Sequence, residues 1–413
     1  MKPVPDLVSL QEAEPQALLP KRGPETPGGA RRLVLLSCGH FFIDLYSSAL
    51  GGLQPLLVAR HGLSLLEAGI LAGVLSFSSS VMQPFYGYLS DRLHFRGFTV
   101  LAPFVAGLFI SSLGLATNYS MLLLLVCLGG VGIAAFHPQG TAHASATWRR
   151  RRGLAMAIFI TSGTIGLSMG PTYFSLVIGW LGMEKSYWAA LPSLLITLVL
   201  AANLPAPPRR EHAGTTHFDL APFRRVRKPM ALLYFLVVIR SVVQIVFAQF
   251  LPLYFHRERG FAVSSASYVL TLFLLGGALG GFLGGNLADR FGGKRIVTFS
   301  MIASVPFLIV FLSTRGPLSL AGLFLGGLIL LFTIPVNVTM AQDLVPTQSG
   351  TVSALMMGFA WGMAGLFCIP FFGWVADHVG LHKALWGVIL LPLVGFVLAL
   401  ELPRSDAHLR RSL

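Results

Sequence analysis

The sequence predicts an all-α polytopic membrane protein with twelve transmembrane helices in two six-helix halves related by a pseudo-two-fold axis. Three observations predict this fold class. Hydrophobic residues make up 54% of the 413 residues and charged residues only 11%, whereas soluble domains carry about 25% charged residues. Apolar residues recur in blocks of about 20, the length that a helix needs to cross a bilayer. Short motifs of the first half return in the second half at a nearly constant offset.

The apolar blocks define the individual spans. A membrane β-barrel would instead show segments of about 10 residues with alternating polarity. Several blocks exceed the minimum length, which fits helices that are tilted or that project into water. The spans are expected at 33–59, 65–89, 97–116, 120–146, 154–180, 187–204, 230–255, 264–287, 295–314, 317–342, 351–376 and 384–402.

The basic residues predict the orientation. The net charge is +14, but the basic residues lie between the apolar blocks, so we expect a lipid bilayer as partner and no nucleic acid. With the N-terminus inside, 23 Lys and Arg fall on inner segments and 6 on outer loops, and only Arg240 lies within a span. Because cytoplasmic loops carry an excess of Lys and Arg, both termini are expected in the cytoplasm.

Polar segments divide the chain. Residues 1–32 lack the apolar core of a signal peptide and are expected to form a disordered cytoplasmic tail. A basic cytoplasmic linker at 205–229 separates an N-terminal bundle (33–204) from a C-terminal bundle (230–402), and 403–413 form a second cytoplasmic tail.

The two bundles share motifs. Gly87-Tyr-Leu-Ser-Asp91-Arg92 matches Gly285-Asn-Leu-Ala-Asp289-Arg290 at an offset of 198, and Pro138 matches Pro335 at 197. A six-span unit duplicated in parallel is the layout of one class of transporters, whose substrate site lies between the halves near mid-membrane.

The Gly-x-Leu-(Ser/Ala)-Asp-Arg pattern resembles motif A of the major facilitator superfamily. Several further segments are similar to the fosmidomycin-resistance group of bacterial efflux transporters. They are His40-Phe-Phe-Ile-Asp44, Gln83-Pro-Phe-Tyr-Gly87, Phe136-His-Pro138, Ala341-Gln-Asp-Leu-Val-Pro346, Gly358-Phe-Ala-Trp-Gly-Met363 and Ala376-Asp-His378. The resemblance implies the major facilitator fold in a bacterial inner membrane, alternating access, and proton-driven export of small drug-like compounds by a monomer.

Ionisable groups within spans are costly and usually face a cavity or a partner. His40 and Asp44 share one helix face at i, i+4 spacing, and Arg240 follows Asp44 by 196 residues, close to the repeat offset. We expect Asp44 and Arg240 to face one cavity from opposite halves. They would pair when it is empty and separate when an anionic substrate binds Arg240 and Asp44 takes a proton. A purely structural buried pair is the alternative.

Three other side chains are candidates for the same substrate-binding and proton-coupling site. His40 is either a proton carrier, because imidazole titrates near neutral pH, or a neutral link between helices. His137 precedes Pro138, which interrupts helical hydrogen bonding, and a role in the cavity is favoured over core packing. Gln244, one turn after Arg240, is placed to bind substrate or to contact another helix.

The motif residues Gly87, Asp91, Arg92, Gly285, Asp289 and Arg290 are expected to gate the transporter. An Asp at a helix end can cap a neighbouring helix or pair with Arg. Such a latch would fasten the cytoplasmic ends of the helices and favour an outward-open state. In span 5, Gly166, Gly170 and Pro171 resemble part of an antiporter motif, although close helix packing explains the small residues equally well.

Other functions are less consistent with the sequence. An enzyme is not expected, because the chain has no HExxH zinc motif and no P-loop. His40 and Asp44 alone are too few ligands for a metal site, so neither a metal nor a cofactor is expected. Nothing indicates the filter of a channel. The main alternative is a proton-coupled uptake symporter or an exchanger of small organic anions on the same fold.

Overall fold

The structure is a computed structural model that describes residues 28–93, 95–148, 151–204 and 221–403, without the side chains of residues 91, 152, 153 and 349. The twelve predicted spans are confirmed as twelve long apolar helices within these ranges. They are α1 (Gly29–His61), α2 (Leu65–Ser90), α3 (Gly97–Leu115), α4 (Tyr119–Thr147), α5 (Leu154–Leu181), α6 (Met183–Asn203), α7 (Arg227–Arg257), α8 (Val263–Phe291), α9 (Gly293–Ser313), α10 (Gly316–Leu344), α11 (Gly350–Val379) and α12 (Leu381–Leu400).

Several helix boundaries differ from the expectation by up to four residues. Helix α1 begins at Gly29, four residues before the expected start of the first span. A short helix, Ala221–Arg225, and the first turns of α7 occupy the end of the expected linker. Both stretches contain basic residues, and Arg and Lys are good helix formers. The rest of the linker and most of both tails lie outside the described residues.

Local sequence signals set several helix ends. Ser64 caps α2 by accepting a hydrogen bond from the Glu67 amide at 3.1 Å, and the Glu67 side chain accepts one from the Ser64 amide at 2.8 Å. This reciprocal pair is a capping box. Asn118 caps α4 through the Met121 amide. Gly62 ends α1 at a φ of 63°, a conformation that glycine adopts without strain.

Several helices are irregular near the middle of the bundle. Helix α1 is interrupted after Ser47, and α10 is interrupted after Leu330. Helix α2 contains a π-helical turn at Phe77–Val81, and α11 contains two, at Ala354–Phe359 and Ala364–Cys368. Because π-helical turns widen the helix and occur mostly at functional sites, these irregularities mark the centre of the bundle as the region to inspect.

The two halves repeat the same packing contacts. A methyl group at Gly87 would lie 3.5 Å from Pro138 on α4, and one at Gly285 would lie 3.7 Å from Pro335 on α10. The motif glycines therefore allow α2 to approach α4 and α8 to approach α10 in equivalent ways.

Glycines also let α5 lie directly on α1. A side chain at Gly166 would overlap the Phe41 carbonyl group, and one at Gly170 would overlap the Leu45 carbonyl group. The expected packing role of these two glycines follows from these contacts. Pro171 of the same motif lies against Gly52 of α1.

The bundle has two ends, which we name by their residues. The basic face carries Arg92, Arg96, Arg224–Lys228 and Arg290–Arg295, and the opposite face carries Gly62, Asn118, Gly182, Gly260 and Gly380. Between the cavity level and the opposite face, α2 packs on α11, α1 on α7 and α5 on α8 across the two halves.

Glycines contribute to the contact between α2 and α11, which we call the glycine seam. Gly69 and Gly73 of α2 lie against the backbone and ring of Ile369 and Pro370 on α11, and Gly373 of α11 lies against Leu65. The chain around the seam is therefore closed towards the opposite face.

Candidate functional site

A central cavity of about 270 Å³ lies where the two halves meet. Its wall from the N-terminal half is polar and includes five serines that α1 and α2 supply. Its wall from the C-terminal half is formed by α7, α8 and α11. The lining residues are Asp44, Ser47, Ser48, Leu75, Ser76, Ser79, Ser80, Gln83, Ile133, His137, Leu167, Gln244, Ile245, Ala248, Gln249, Leu270, Leu274, Met357 and Trp361.

Two histidines flank the carboxylate of Asp44 at the edge of this cavity. His40 Nε2 lies 3.3 Å from Asp44 Oδ2, and His137 Nε2 lies 3.3 Å from Asp44 Oδ1. His40 and Asp44 come from one face of α1, as predicted, and α4 supplies His137. The exposed fractions of the three side chains are only 8%, 17% and 24%. We call these residues the His–Asp–His cluster.

The outer hydrogen bonds of the two imidazoles fix their protonation pattern. His40 Nδ1 lies 2.8 Å from the Phe159 carbonyl oxygen, and His137 Nδ1 lies 2.8 Å from the Ile133 carbonyl oxygen. A carbonyl oxygen only accepts, so each Nδ1 donates and a neutral ring presents its Nε2 lone pair to the carboxylate.

Lone pairs of nitrogen and oxygen repel at this distance unless a cation lies between them. A single proton can bridge only one of the two contacts, so satisfying both requires two protons or a larger cation. With two protons the net charge of the cluster would be +1.

Helix α5 completes the cluster, and the sequence analysis did not identify this contribution. The Phe159 ring stacks on His40 with 4.2 Å between ring centroids, in addition to the bond from its carbonyl. Gly163 lies one turn later, where a methyl group would meet His40 Cε1 at 2.5 Å and Asp44 Oδ2 at 2.6 Å. Glycine at 163 thus leaves room for the cluster. Sequence spacing gave no sign of this, because the contact depends on how α5 packs on α1.

The expected pairing of Asp44 with Arg240 is not present. Asp44 contacts the two histidines, and no carboxylate of the described residues lies within ion-pair distance of Arg240. The guanidinium donates to Gln244 Oε1 at 2.9 Å and lies over the Trp361 ring, 5.6 Å from its centroid. Equal depth in duplicated helices did not determine the direction in which each side chain points.

Arg240 therefore lies behind the cavity wall and not in it. Its side chain is buried, and its Nε has no hydrogen-bond partner among the described residues. Gln244 and Trp361, which it contacts, do line the cavity. Through Gln244 and Trp361, Arg240 is therefore in indirect contact with the cavity.

Of the motif carboxylates at the basic face, the structure describes the side chain of Asp289, which forms no latch with the described residues. Asp289 is exposed and has no ion pair within the described part of the chain. The Arg92 guanidinium lies over the Tyr88 ring at 4.7 Å, and that of Arg290 lies over the Phe291 ring at 5.3 Å. The side chain of Asp91 is outside the described residues.

A latch is formed at the opposite face instead. Asp377, at the end of α11, accepts hydrogen bonds from the amides of Leu65 and Leu66 at 2.8 Å each. These amides belong to the first turn of α2, where they have no partner within the helix. The carboxylate also lies at the positive end of the helix dipole. The two halves are thus linked at this face by a charged helix cap.

Comparisons with known proteins agree with this architecture. The family model of the Major Facilitator Superfamily matches residues 36–267 and 246–412. The chain is 32% identical to the uncharacterized MFS-type transporter YfnC of Bacillus subtilis, covering 92% of this chain and 94% of the relative. It is 27% identical to the fosmidomycin resistance protein of Escherichia coli, covering 88% and 90%.

A solved structure shows the same fold. A bacterial homolog of the human lysosomal transporter Spinster, in an inward-facing and occupied conformation, superposes with a TM-score of 0.78 at 15% identity, covering 91% of this chain and 97% of that protein. The chain therefore belongs to the major facilitator superfamily, and it is a multi-pass membrane transporter of small molecules rather than an enzyme.

Proposed function

We propose that this protein is a proton-coupled antiporter that exports small drug-like compounds across a bacterial inner membrane by alternating access. The observation that carries the proposal is the carboxylate of Asp44, which lines the cavity between the halves and is flanked by two imidazoles. An intramembrane carboxylate is costly unless it is neutralised or paired. A cluster that exchanges protons for substrate keeps Asp44 neutralised or paired in both steps, when the proton is bound and when the substrate is bound. The transporter acts as a monomer.

The orientation follows from the basic residues. The basic face carries the arginine-rich segments and, by the excess of positive charge on cytoplasmic loops, it is assigned to the cytoplasm. The glycine seam and the Asp377 cap then lie on the outer side, and the conformation described above is inward-open. In this state the cavity receives substrate from the cytoplasm and releases protons there.

Gating exchanges one latch for another. Asp377 holds the outer ends of α2 and α11 together in the inward-open state. The motif residues Asp91 and Asp289, with their arginines, hold the cytoplasmic ends when the halves rock to the outward-open state. The exposed position of Asp289 in the inward-open state supports this assignment.

Transport in inside-out vesicles tests the proposal. Fosmidomycin and ethidium serve as probes, because a relative is named for resistance to the first and the second is a small cationic dye. Vesicles with an acidic lumen should accumulate a probe, and a protonophore should abolish the accumulation. Accumulation that is indifferent to the protonophore would refute proton coupling.

A charge-removing variant locates the coupling site. Asp44→Asn should abolish proton-driven accumulation, because an amide cannot exchange a proton with the two imidazoles. Asp343→Asn provides the matched control, since Asp343 is exposed on α10 and does not line the cavity. Equal loss of transport in both variants would show that the effect is not specific to the cluster.

Uptake or exchange of small organic anions is the second candidate, and Arg240 is the observation that favours it. The guanidinium is a fixed cation close to the cavity, but Gln244 and Trp361 stand between it and the lining. The largely apolar lining, with its serine-rich wall and the carboxylate of Asp44, supports export of neutral or cationic compounds better. Flux measured in whole cells separates the two, because uptake raises the internal concentration of the probe and export lowers it.

A further inference from the structure

We propose that the His–Asp–His cluster binds a divalent transition-metal ion of the zinc type, with three protein ligands and an open fourth position. His40 Nε2, His137 Nε2 and one oxygen of Asp44 are the ligand atoms, and all lie within 4.8 Å of one another. The sequence offered only two ligands on α1, and the fold adds the third from α4. The inference does not depend on proton coupling and stands whether or not protons drive transport.

The distances fit a metal ion. A tetrahedral zinc site with bonds of about 2.0 Å separates neighbouring ligand atoms by roughly 3.3 Å. Each histidine nitrogen lies 3.3 Å from its own carboxylate oxygen, His40 Nε2 from Oδ2 and His137 Nε2 from Oδ1. A charge-assisted hydrogen bond between the same atoms would be shorter, about 2.7–2.9 Å. The three ligand atoms lie within 4.8 Å of one another, close enough for one ion to contact all three side chains after small adjustments.

The surroundings of the ligands also fit. Metal-binding histidines commonly donate their second ring nitrogen to a carbonyl or carboxylate, which fixes the tautomer and aims the lone pair. Both histidines do this through Nδ1, towards the carbonyls of Phe159 and Ile133. The stacked ring of Phe159 holds the His40 imidazole in place as well.

The site has room for the ion and for a fourth ligand. Gly163 presents no side chain to the ligand atoms of His40 and Asp44. Asp44 and His137 line the cavity, so the open position faces the space where water or a donor atom of a substrate can lie. Three protein ligands with one open position are typical of zinc sites that act on a bound molecule, whereas structural sites are closed by four.

The ligand set selects the class of metal. Two imidazoles with one carboxylate suit zinc, cobalt, nickel and iron, whereas magnesium and calcium prefer oxygen ligands only. One divalent ion with one carboxylate leaves a net charge of +1, the same as two protons on the cluster. A metal ion can therefore replace the protons without a change in the charge buried at this position.

Metal titration of the full-length protein tests the inference. The protein should carry no histidine tag, because a tag would bind the probe ions, and it should be freed of metal before use. Zn²⁺ added to the protein in lipid nanodiscs is followed by calorimetry, and Co²⁺ by its visible spectrum, which reports the coordination geometry. We expect one Zn²⁺ per chain, a tetrahedral cobalt spectrum, and no heat of binding for Mg²⁺.

Variants assign the ion to the cluster. His137→Ala and His137→Gln should each weaken Zn²⁺ binding by at least about tenfold, since a ligand contributes no less than a second-shell partner does. His378→Ala is the matched control, because the Nδ1 of His378 bonds to the Trp374 carbonyl at 2.8 Å on another helix, away from the cluster. Thermal unfolding shows whether each variant is folded, and the glutamine variant keeps the size of the side chain.

The outcomes separate the two proposals. A folded wild-type protein that binds no Zn²⁺, that binds Mg²⁺ equally well, or that binds Zn²⁺ as tightly as His137→Gln does would overturn the metal site. If such a protein still exports its probe in a proton-dependent manner, the proposed function stands. If instead Zn²⁺ binds as expected but export ignores the proton gradient, the metal site stands and the proposed coupling is wrong.

Discussion

Replacing Asp377 with alanine tests the cap that links the two halves at the opposite face. The carboxylate accepts two hydrogen bonds of 2.8 Å, one in part-buried and one in exposed surroundings. Loss of an N-cap acceptor costs about 0.5–2 kcal/mol, and a charge at a helix N-terminus contributes about 0.3–1 kcal/mol where it is exposed. We therefore expect the sealed conformation to lose about 1–2 kcal/mol relative to one in which water satisfies the same amides.

A free-energy change of this size is measurable as a change in population. It alters the ratio of open to sealed molecules by about 5- to 30-fold, so an open fraction of about 5% would rise to roughly 20–60%. Spin labels at Thr117 and Arg257 report it, because both positions are exposed at the opposite face and lie in different halves. The native cysteines at 38, 127 and 368 are replaced first, and double electron–electron resonance then gives the distribution of label distances.

The matched control removes a different charge from the same face. Glu184 pairs with Arg60 at 3.9 Å within the N-terminal half, so Glu184→Gln should leave the distance distribution unchanged. An unchanged distribution in Asp377→Ala, with the protein folded, would refute the cap as a link between the halves. Equal broadening in both variants would show that surface charge in general, and not the cap, controls opening.

Three further predictions use single substitutions. Gly163→Ala should reduce export in the vesicle assay at least tenfold without unfolding the protein, because its methyl group displaces the His–Asp–His cluster. Gly179→Ala on the same helix has open space around it and should leave export unchanged. Gly51→Ala should increase the open fraction in the spin-label experiment, since the methyl group would overlap a carbonyl oxygen of α7 across the halves, and Gly387→Ala, with nothing within 4 Å, should not. Arg240→Lys should lower export several-fold although the charge is kept, because only the planar guanidinium stacks on the Trp361 ring while donating to the Gln244 amide oxygen. Full export activity in this variant would show that the charge alone is needed.

The helices and part of the cluster were predictable from the sequence. Each span is a long apolar run, and a membrane requires the backbone of such a run to be helical. His40 and Asp44 share a helix face by spacing alone, which any α-helix imposes. His137 was identified as a cavity candidate because a titratable group within a span is costly. These rules predict where a residue lies along its helix and which residues face a common region.

Contacts between distant helices were not predictable in the same way. The bond from Asp377 to Leu65 joins residues 312 positions apart, and no spacing rule connects them. Arg240 was expected to pair with Asp44 because depth can be inferred from the repeat, but the rotation of a helix about its axis depends on packing. Gly163 was missed because its contribution is the lack of a side chain. The space that this leaves open is defined only by how the neighbouring helix packs against α5.

The glycine seam between α2 and α11 has a consequence for the entropy cost of each transport cycle. The glycines of the seam lie against main chain and a rigid proline ring, so at these points no side chain has to change rotamer when the surfaces part or rejoin. Freezing flexible side chains costs entropy each time a contact forms, and a joint made of bare backbone avoids most of that cost. At its glycine contacts the seam can therefore part and re-form with little loss of side-chain entropy.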